Sequence, residues 1–238
     1  MLNRIRTSIS HLLGRAKRNG TTSEAQDEGV SWIRFAVAGM LEWGNLAAFE
    51  HAVRHLPDNS SIVEIGSFCG LSTNLLAYFK RKHGRANLLF SSEPWMFEGS
   101  EKETAPNGSQ AYREFVRESF IRNTRFFSRD DLPHTIELLS DDFFARWRAQ
   151  VEQEDVFGRA VRLGGPIGFA YIDGHHGYDY VRRDFKNVDE FLVPYGLILF
   201  DDSAPGSVGE ANVVVQEVEA SGRYELTMRN PNYLFRKL

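Results

Sequence analysis

Residues 61–72 read SIVEIGSFCGLS, and this stretch decides the fold. The run Ser61–Ile65 is short and apolar and stops at Gly66, and apolar residues return at helical spacing over 71–78. A short apolar run bounded by glycine is typical of a buried strand, whereas a period of three to four residues is typical of a helix. The stretch therefore predicts a strand, a glycine-bearing turn and a helix.

The turn from Gly66 to Gly70 has the composition of a ligand site. Glycines let the backbone turn tightly, and the first amide groups of the following helix are free to bind a ligand. Glu64 lies inside the apolar strand, where a carboxylate is costly unless a cation or a hydrogen-bonding group meets it. The G-x-x-x-G spacing differs from the G-x-G-x-x-G of nicotinamide dehydrogenases, which disfavours that class. A nucleotide site is predicted, with a plain strand-to-helix turn as the alternative.

The alternation of strand and helix continues along the chain. Further strands are predicted at 87–92, 134–139, 167–172 and 197–200, and helices at 110–123, 141–152, 178–192 and 210–220. One or two helices are predicted within 32–55, and an antiparallel hairpin at 224–228 and 233–236. Parallel strands need crossover connections and are covered on both faces. The pattern predicts an α/β fold with a doubly wound, mostly parallel seven-stranded sheet and a C-terminal antiparallel hairpin, its ligand groups at the carboxyl ends of the strands.

The composition indicates one domain. The chain has 238 residues, of which 42% are hydrophobic, and this suffices for one sizeable core, assigned to 31–238. A net charge of −4 gives no general attraction to nucleic acid, so no nucleic-acid partner is expected. The single cysteine, Cys69, cannot form an internal disulfide, and a cytoplasmic location is expected.

Residues 1–30 are predicted to form a basic helix and a linker. The segment carries Arg4, Arg6, Arg15, Lys17 and Arg18 before its first acidic residue, and its apolar residues recur at helical spacing. It is too short and too charged to span a bilayer. Peripheral membrane contact and packing on the body or on a second subunit both stay open. The second is favoured, and a homodimer stays open as an assembly.

Polar residues follow the second and third predicted strands. Glu93 stands where such folds place an acid that binds a ribose diol, although an exposed loop carboxylate would have the same pattern. Ser140 and Asp141 can cap the following helix or contact an adenine, and these roles are compatible. In the loop 94–109, Trp95, Met96 and Phe97 are predicted to form part of a substrate lid, with a surface insertion as the alternative.

The fourth and fifth strands end in a group of acids. Asp173 follows one strand, and Asp201 and Asp202 follow the other. Carboxylates at adjacent strand ends repel one another unless a cation neutralises them, and oxygen ligands suit Mg²⁺. Helix capping and loop ion pairs are the alternatives. His175 and His176, in a glycine-bounded loop beside these acids, could serve as ligand, general base or structural groups.

These motifs together resemble a known family. The stretch 62–72 resembles motif I of class I S-adenosylmethionine-dependent methyltransferases, and is most similar to catechol O-methyltransferase and its metal-dependent relatives. Residues 171–178, Asp184 and 199–202 resemble the subfamily of sugar and macrolide O-methyltransferases and cephalosporin-hydroxylase-like proteins. The resemblance covers about 61–207 and implies a Rossmann-like methyltransferase fold.

The resemblance implies roles by position. S-adenosylmethionine would be bound by a set from four strand ends: Glu64, Gly66, Phe68, Gly70, Ser72, Glu93, Ser140, Asp141 and Asp173. Mg²⁺ would be held by Asp173, Asp201 and Asp202, although the catechol enzyme has asparagine at the last position. His176 stands where the catechol enzyme has its lysine base, and Asp173 is the other candidate for proton transfer.

The implied reaction is O-methylation of a small molecule. A substrate hydroxyl, on a sugar or natural-product intermediate, would attack the methyl carbon and give a methyl ether and S-adenosylhomocysteine (SAH). The ion would lower the hydroxyl pKa, and His176 would accept the proton. Replacing Asp201 by alanine should stop turnover and spare cofactor binding, and a bulky residue at Gly66 should do the reverse. A metal-dependent oxidative enzyme and a non-catalytic scaffold remain alternatives.

Overall fold

The computed structural model describes residues 27–96, 109–207 and 209–238. The helices in these ranges are α1 (Glu28–Ala36), α2 (Asn45–Arg54), α3 (Leu71–Lys82), α4 (Ser109–Phe127), α5 (Ser140–Arg148), α6 (Tyr178–Phe191) and α7 (Ala211–Ala220). The strands are β1 (Ser61–Ile65), β2 (Leu89–Ser92), β3 (His134–Ile136), β4 (Glu152–Glu154), β5 (Ala160–Arg162), β6 (Ile167–Ile172), β7 (Leu192–Phe200), β8 (Tyr224–Arg229) and β9 (Tyr233–Lys237). Among these helices, none combines the length and apolarity needed to cross a membrane.

The main sheet has seven strands in the order β3-β2-β1-β6-β7-β9-β8. The first five pair in parallel, and β9 joins β7 and β8 in antiparallel fashion. The α/β fold and the C-terminal hairpin are thus confirmed. The chain order reverses between β1 and β6, and open α/β sheets bind ligands at such a switch point.

The strand register aligns the carboxyl ends of four strands. Ile65 of β1 pairs with Ser92 of β2 and with Ile172 of β6, and Ile172 pairs with Phe200 of β7. These are the last residues of their strands. Each strand is followed at once by a residue that the sequence singled out, namely Gly66, Glu93, Asp173 and Asp201, so the register brings these four to one edge of the sheet.

Apolar side chains cover both faces of this sheet. Along β7, Leu197 and Leu199 belong to one buried cluster, while Ile198 belongs to the other. The first cluster includes Leu75 of α3, and the second includes Phe143 of α5. Successive strand residues point to opposite faces, so a strand buried on both sides reads as a continuous apolar run. This is the doubly wound arrangement that the sequence predicts.

A short hairpin, β4–β5, was not predicted. The predicted helix 141–152 ends at Arg148, because Gln150 adopts a left-handed conformation with φ +52° and the chain then enters β4. Glu152 pairs with Arg162 in this two-stranded sheet, which is largely exposed. Exposed strands of three residues carry too few apolar positions to show a period of two.

The described chain begins at the start of α1. Asp27 caps this helix by accepting hydrogen bonds from the backbone N–H groups of Gly29 and Val30 at 3.1 and 3.3 Å. The Tyr78 hydroxyl and the Lys82 ammonium also reach Asp27, at 2.5 and 3.0 Å, and join α1 to α3. The predicted N-terminal basic helix lies outside the described residues, and the boundary at residue 30 stays a prediction.

Candidate active site

A cavity of about 1150 Å³ opens at the aligned strand ends. Nine of the residues predicted for the site line it: Gly66, Phe68, Ser72, Glu93, Ser140, Asp173, His176, Asp201 and Asp202. Three predicted cofactor residues, Glu64, Gly70 and Asp141, do not line it. The wall also includes residues 38–42, between α1 and α2, and 204–207, which follow β7.

The glycine loop after β1 is held closely against β6. Gly66 has φ +87°, and a Cβ atom placed on it would lie 2.0 Å from the carbonyl oxygen of Asp173. The backbone N–H of Asp173 donates to the carbonyl oxygen of Ile65 at 2.8 Å. Only glycine fits both this conformation and this approach. The glycine loop, which lines the cavity, and the backbone of Asp173 are therefore packed together as one unit.

Glu93 connects the end of β2 to the glycine loop. One oxygen, Oε2, accepts from the backbone N–H groups of Ser67 and Phe68 at 2.8 and 2.9 Å, and Oε1 accepts from that of Trp95 at 2.6 Å. Burial raises the pKa of Glu93, although the three N–H donors act in the opposite direction. Each carboxylate oxygen can accept a further bond. Glu93 thus shapes the loop and still faces the cavity.

Glu64 lies beneath the loop. Its Oε2 atom accepts from the hydroxyls of Ser67, Thr73 and Ser91 at 3.2, 2.6 and 2.6 Å. Its Oε1 atom is buried without a hydrogen-bond partner among the described residues. Burial raises the pKa of this carboxyl, and the surrounding hydroxyls oppose that shift. The structure therefore places Glu64 as a support of the loop and separates it from the cavity wall.

Asp173 and Asp201 contact each other at the ends of β6 and β7. Their carboxyl groups lie close enough to interact directly, and the Tyr171 hydroxyl donates to Oδ2 of Asp173 at 3.1 Å. Burial raises the pKa of both carboxyls, and the negative charge of Asp201 raises that of Asp173 further. A shared proton or a bound cation would relieve this repulsion. Across the described ranges, no three acidic, histidine or cysteine side chains are gathered as a ready metal site.

His176 is the histidine that faces the acids. Its Nδ1 atom lies 3.6 Å from Oδ2 of Asp202, and the two side chains are 38% and 34% exposed. Asp202 adopts φ +46°, which turns the chain directly after Asp201. His175 instead stacks on Tyr180, with ring centroids 3.9 Å apart, and accepts from the backbone N–H of Gly177 at 3.0 Å. Both histidines line the cavity, but the geometry gives only His176 an acidic neighbour among the contacts described for the pair.

Comparison with known families decides the class of protein. A family model described as "Methyltransferase domain" matches residues 63–203, which include every strand end that forms the cavity. The chain belongs to the methyltransferase-domain family. This membership confirms the prediction of an S-adenosylmethionine-dependent methyltransferase.

Solved structures share the fold of this methyltransferase. The calicheamicin methyltransferase CalS11 is 15% identical, with a TM-score of 0.55 and coverage of 91% of this chain and 94% of its own. An O-methyltransferase from Bacillus cereus in complex with SAH is 14% identical, with a TM-score of 0.53 and coverage of 90% and 91%. The O-methyltransferase NovP is 14% identical, with a TM-score of 0.51 and coverage of 82% and 79%. At these identities the likeness shows the fold alone.

The methyltransferase places Asp184, and not Asp141, at the cavity. The Ser140 hydroxyl donates to Oδ1 of Asp184 at 2.5 Å, and both residues line the wall. Asp141 lies on the surface, where its carboxylate accepts from Asn187 at 2.9 Å and lies 3.5 Å from Arg183. Both acids are visible in the sequence, but only the packing of α6 against the sheet buries Asp184.

Asp184 makes stability depend on pH. Burial raises the pKa of Asp184 from 3.8 to about 7. Between these values the folded protein holds more protons than the unfolded chain, so the free energy of unfolding falls as the pH rises. Asp184→Asn keeps an oxygen acceptor for Ser140 and has no proton to release. We expect the unfolding free energy of this variant, relative to wild type, to rise by about 1–4 kcal/mol from pH 4 to pH 8.

Urea unfolding of both proteins at pH 4, 6 and 8 measures this difference. Other titrating groups affect both proteins equally and cancel in the comparison. A constant difference across the pH range would show that Asp184 titrates near its ordinary pKa in the folded state.

The residues predicted to form a substrate lid do not share one environment. Trp95 is fully buried, with its ring against Phe120 at a centroid distance of 5.4 Å, and its indole N–H donates to the carbonyl oxygen of Phe68 at 3.1 Å. It is therefore a core residue under the glycine loop, which corrects the lid assignment. Met96 is 61% exposed and lines the cavity, whereas Phe97 lies outside the described residues.

Proposed function

We propose that this methyltransferase transfers the methyl group of S-adenosylmethionine to a hydroxyl of a small molecule, with a sugar or natural-product intermediate as the acceptor class. The observation that carries the proposal is one cavity that joins the glycine loop and Glu93 to the His176 and Asp201 cluster. Pockets for one small molecule are commonly about 300–1000 Å³. The cavity of about 1150 Å³ has room for a cofactor and a second molecule.

The cofactor end is formed by the β1 and β2 ends. Glu93 has acceptor capacity left beyond its three backbone bonds and lies where a ribose diol can donate to it. Ser140 and Asp184 form a polar pair farther along the wall, suited to bind the adenine of the cofactor. S-adenosylmethionine supplies an electrophilic methyl group on a sulfonium. The loop from Gly66 to Phe68 holds the cofactor against the strand ends.

The acceptor end is formed by the β6 and β7 ends. His176 accepts the proton of the substrate hydroxyl as the oxygen bonds to the methyl carbon and the carbon–sulfur bond breaks. Asp202, 3.6 Å from Nδ1 of His176, stabilises the imidazolium that results. The fixed positions of these groups supply alignment, which is a large part of catalysis in displacement reactions. The products are a methyl ether and SAH.

A divalent cation, with Mg²⁺ as the expected ion, would be held by Asp173, Asp201 and Asp202. The support is that burial raises the pKa of both Asp173 and Asp201, and that the charge of Asp201 raises the first further and the charge of Asp202 the second. Bound there, the ion would lower the pKa of the substrate hydroxyl. Turnover in excess EDTA should fall at least tenfold and return with Mg²⁺. Unchanged turnover would remove the cation from the proposal and leave methyl transfer intact.

Calorimetric titration with S-adenosylmethionine and SAH tests the proposed function directly. We expect both to bind with dissociation constants in the micromolar range, about −8 kcal/mol. A panel of sugar and phenol acceptors, followed by detection of SAH, then tests the hydroxyl class. Absence of binding by either ligand would contradict the proposed function.

Glu93→Gln tests the cofactor end. The carboxylate accepts from three backbone N–H groups, and the amide that replaces it presents N–H donors to at least one of them. Hydrogen bonds to charged groups contribute about 1.5–3 kcal/mol, so SAH affinity should fall about 10–100-fold. Glu190→Gln is the matched control, because Glu190 pairs with Arg148 on the surface of α6, outside the cavity lining. Equal SAH affinities for the two variants would refute this role of Glu93.

A further inference from the structure

Two buried asparagines meet at Asp201. The side-chain amide of Asn45 donates to Oδ1 of Asp201 at 2.6 Å, and that of Asn232 donates to the same oxygen at 2.8 Å. The two amides also contact each other, since Asn232 donates to Oδ1 of Asn45 at 3.1 Å. Both asparagines are almost wholly buried, at 1% and 3% exposure. A buried polar group that makes this many bonds holds a defined orientation.

The asparagines come from opposite ends of the described chain. Asn45 opens α2, and Asn232 lies in the turn between β8 and β9. Both are outside residues 63–203, the segment that matches the methyltransferase domain. The close approach of these segments depends on Gly44, because a Cβ atom on it would lie 1.5 Å from the carbonyl oxygen of Asn230. Two peripheral elements of the fold therefore converge on one acid of the cavity.

A backbone hydrogen bond on the side away from Asp201 fixes the orientation of the Asn232 amide. Its Oδ1 atom accepts from the backbone N–H of Ser203 at 3.1 Å, so its NH₂ group must face Asp201 and Asn45. Both donors take Oδ1 of Asp201, so these amides leave its second oxygen without a bond from them, and Asp201 lines the cavity. Without the amides, Oδ1 of Asp201 would lose both donors, and the neighbouring charge of Asp202 would favour rotation of the carboxylate.

We propose that Asn45 and Asn232 form an amide clamp, a pair of positioning residues that holds the Asp201 carboxylate toward the cavity. The importance of Asp201 for methyl transfer rests on the proposed function, whereas the clamp is a statement about the position of its carboxylate. Partners that orient a ligand of this kind typically change metal affinity or activity 10–100-fold when removed. Through the clamp, α2 and the terminal hairpin help to position an acid of the cavity.

Alanine variants of the clamp test the proposal. Asn45→Ala, Asn232→Ala and the double variant are compared with Asn187→Ala, whose amide donates to a surface carboxylate outside the cavity lining. Electron paramagnetic resonance measures Mn²⁺ affinity, and calorimetry measures SAH affinity as a report on folding. We expect Mn²⁺ to bind about 10–100-fold more weakly to the clamp variants and SAH to bind as in wild type. If one single variant loses SAH binding, its fold is disturbed, and the Mn²⁺ affinity of the other single variant then decides the test.

Crystal structures of wild type and the double variant provide a readout that needs neither metal nor turnover. The clamp is supported if the Asp201 carboxylate rotates in the variant. It is overturned if the carboxylate stays in place, or if Mn²⁺ affinity is unchanged in a protein that binds Mn²⁺. A wild type that binds no Mn²⁺ would contradict the cation proposal, and the position of Asp201 in the two crystals would still decide on the clamp.

Discussion

Asp201→Ala should lower kcat for methyl transfer by about 10²–10⁴-fold and leave SAH affinity close to that of wild type. Asp201 lies at the end of β7, in contact with Asp173, and the glycine loop lies at the end of β1. Its removal takes away negative charge where the acceptor hydroxyl and a cation would sit, and it leaves the donors of Asn45 and Asn232 without their acceptor. Stopped assays of SAH formation give kcat, and calorimetry gives the affinity.

Asp201→Asn separates charge from shape. The asparagine oxygen can still accept from Asn45 and Asn232, so the side chain keeps its place while its charge is lost. We expect this variant to lose nearly as much activity as the alanine variant. Asp130→Ala, which removes an exposed carboxylate beside Arg129, controls for a general change in net charge. Activity of Asp201→Asn near that of wild type would mean that the acid acts through packing alone.

The strand ends could be predicted because local patterns determine them. The run before Gly66 and the run before Asp173 are largely apolar, and parallel strands with helical crossovers align their carboxyl ends whatever the side-chain contacts are. This is why Glu93, Asp173 and Asp201 could be assigned to one site before any contact was known. Their positions follow from the backbone.

The side-chain environment could not be predicted in the same way. Asn45 and Asn232 stand 187 positions apart, and nothing local in either segment indicates that they share Asp201. Trp95 reads as part of a polar loop, but the φ of +49° at this residue turns its ring into the core. Such contacts depend on how remote segments pack, which periodicity and spacing do not encode.

Gly66→Ala should weaken SAH binding by at least about 100-fold, equivalent to about 3 kcal/mol. The added Cβ would lie 2.0 Å from the carbonyl oxygen of Asp173, and φ +87° is a strained conformation for any other residue. The sequence alone predicted an effect on cofactor binding only. Because the clash is with the backbone of Asp173, we now expect the acid cluster to shift as well, so that kcat falls together with the affinity.

Gly84→Ala separates the effect of backbone strain from the effect of the clash with Asp173. Gly84 also has a positive φ, +61°, but a Cβ atom placed on it would meet no other part of the described chain within 4 Å, and it follows α3 outside the cavity lining. It therefore measures the cost of backbone strain without a clash, about 1 kcal/mol of stability and no change in SAH affinity. If Gly66→Ala behaved like Gly84→Ala, the loop would have room to move away from β6. The close contact between Gly66 and Asp173 would then not be what couples cofactor binding to the acid cluster.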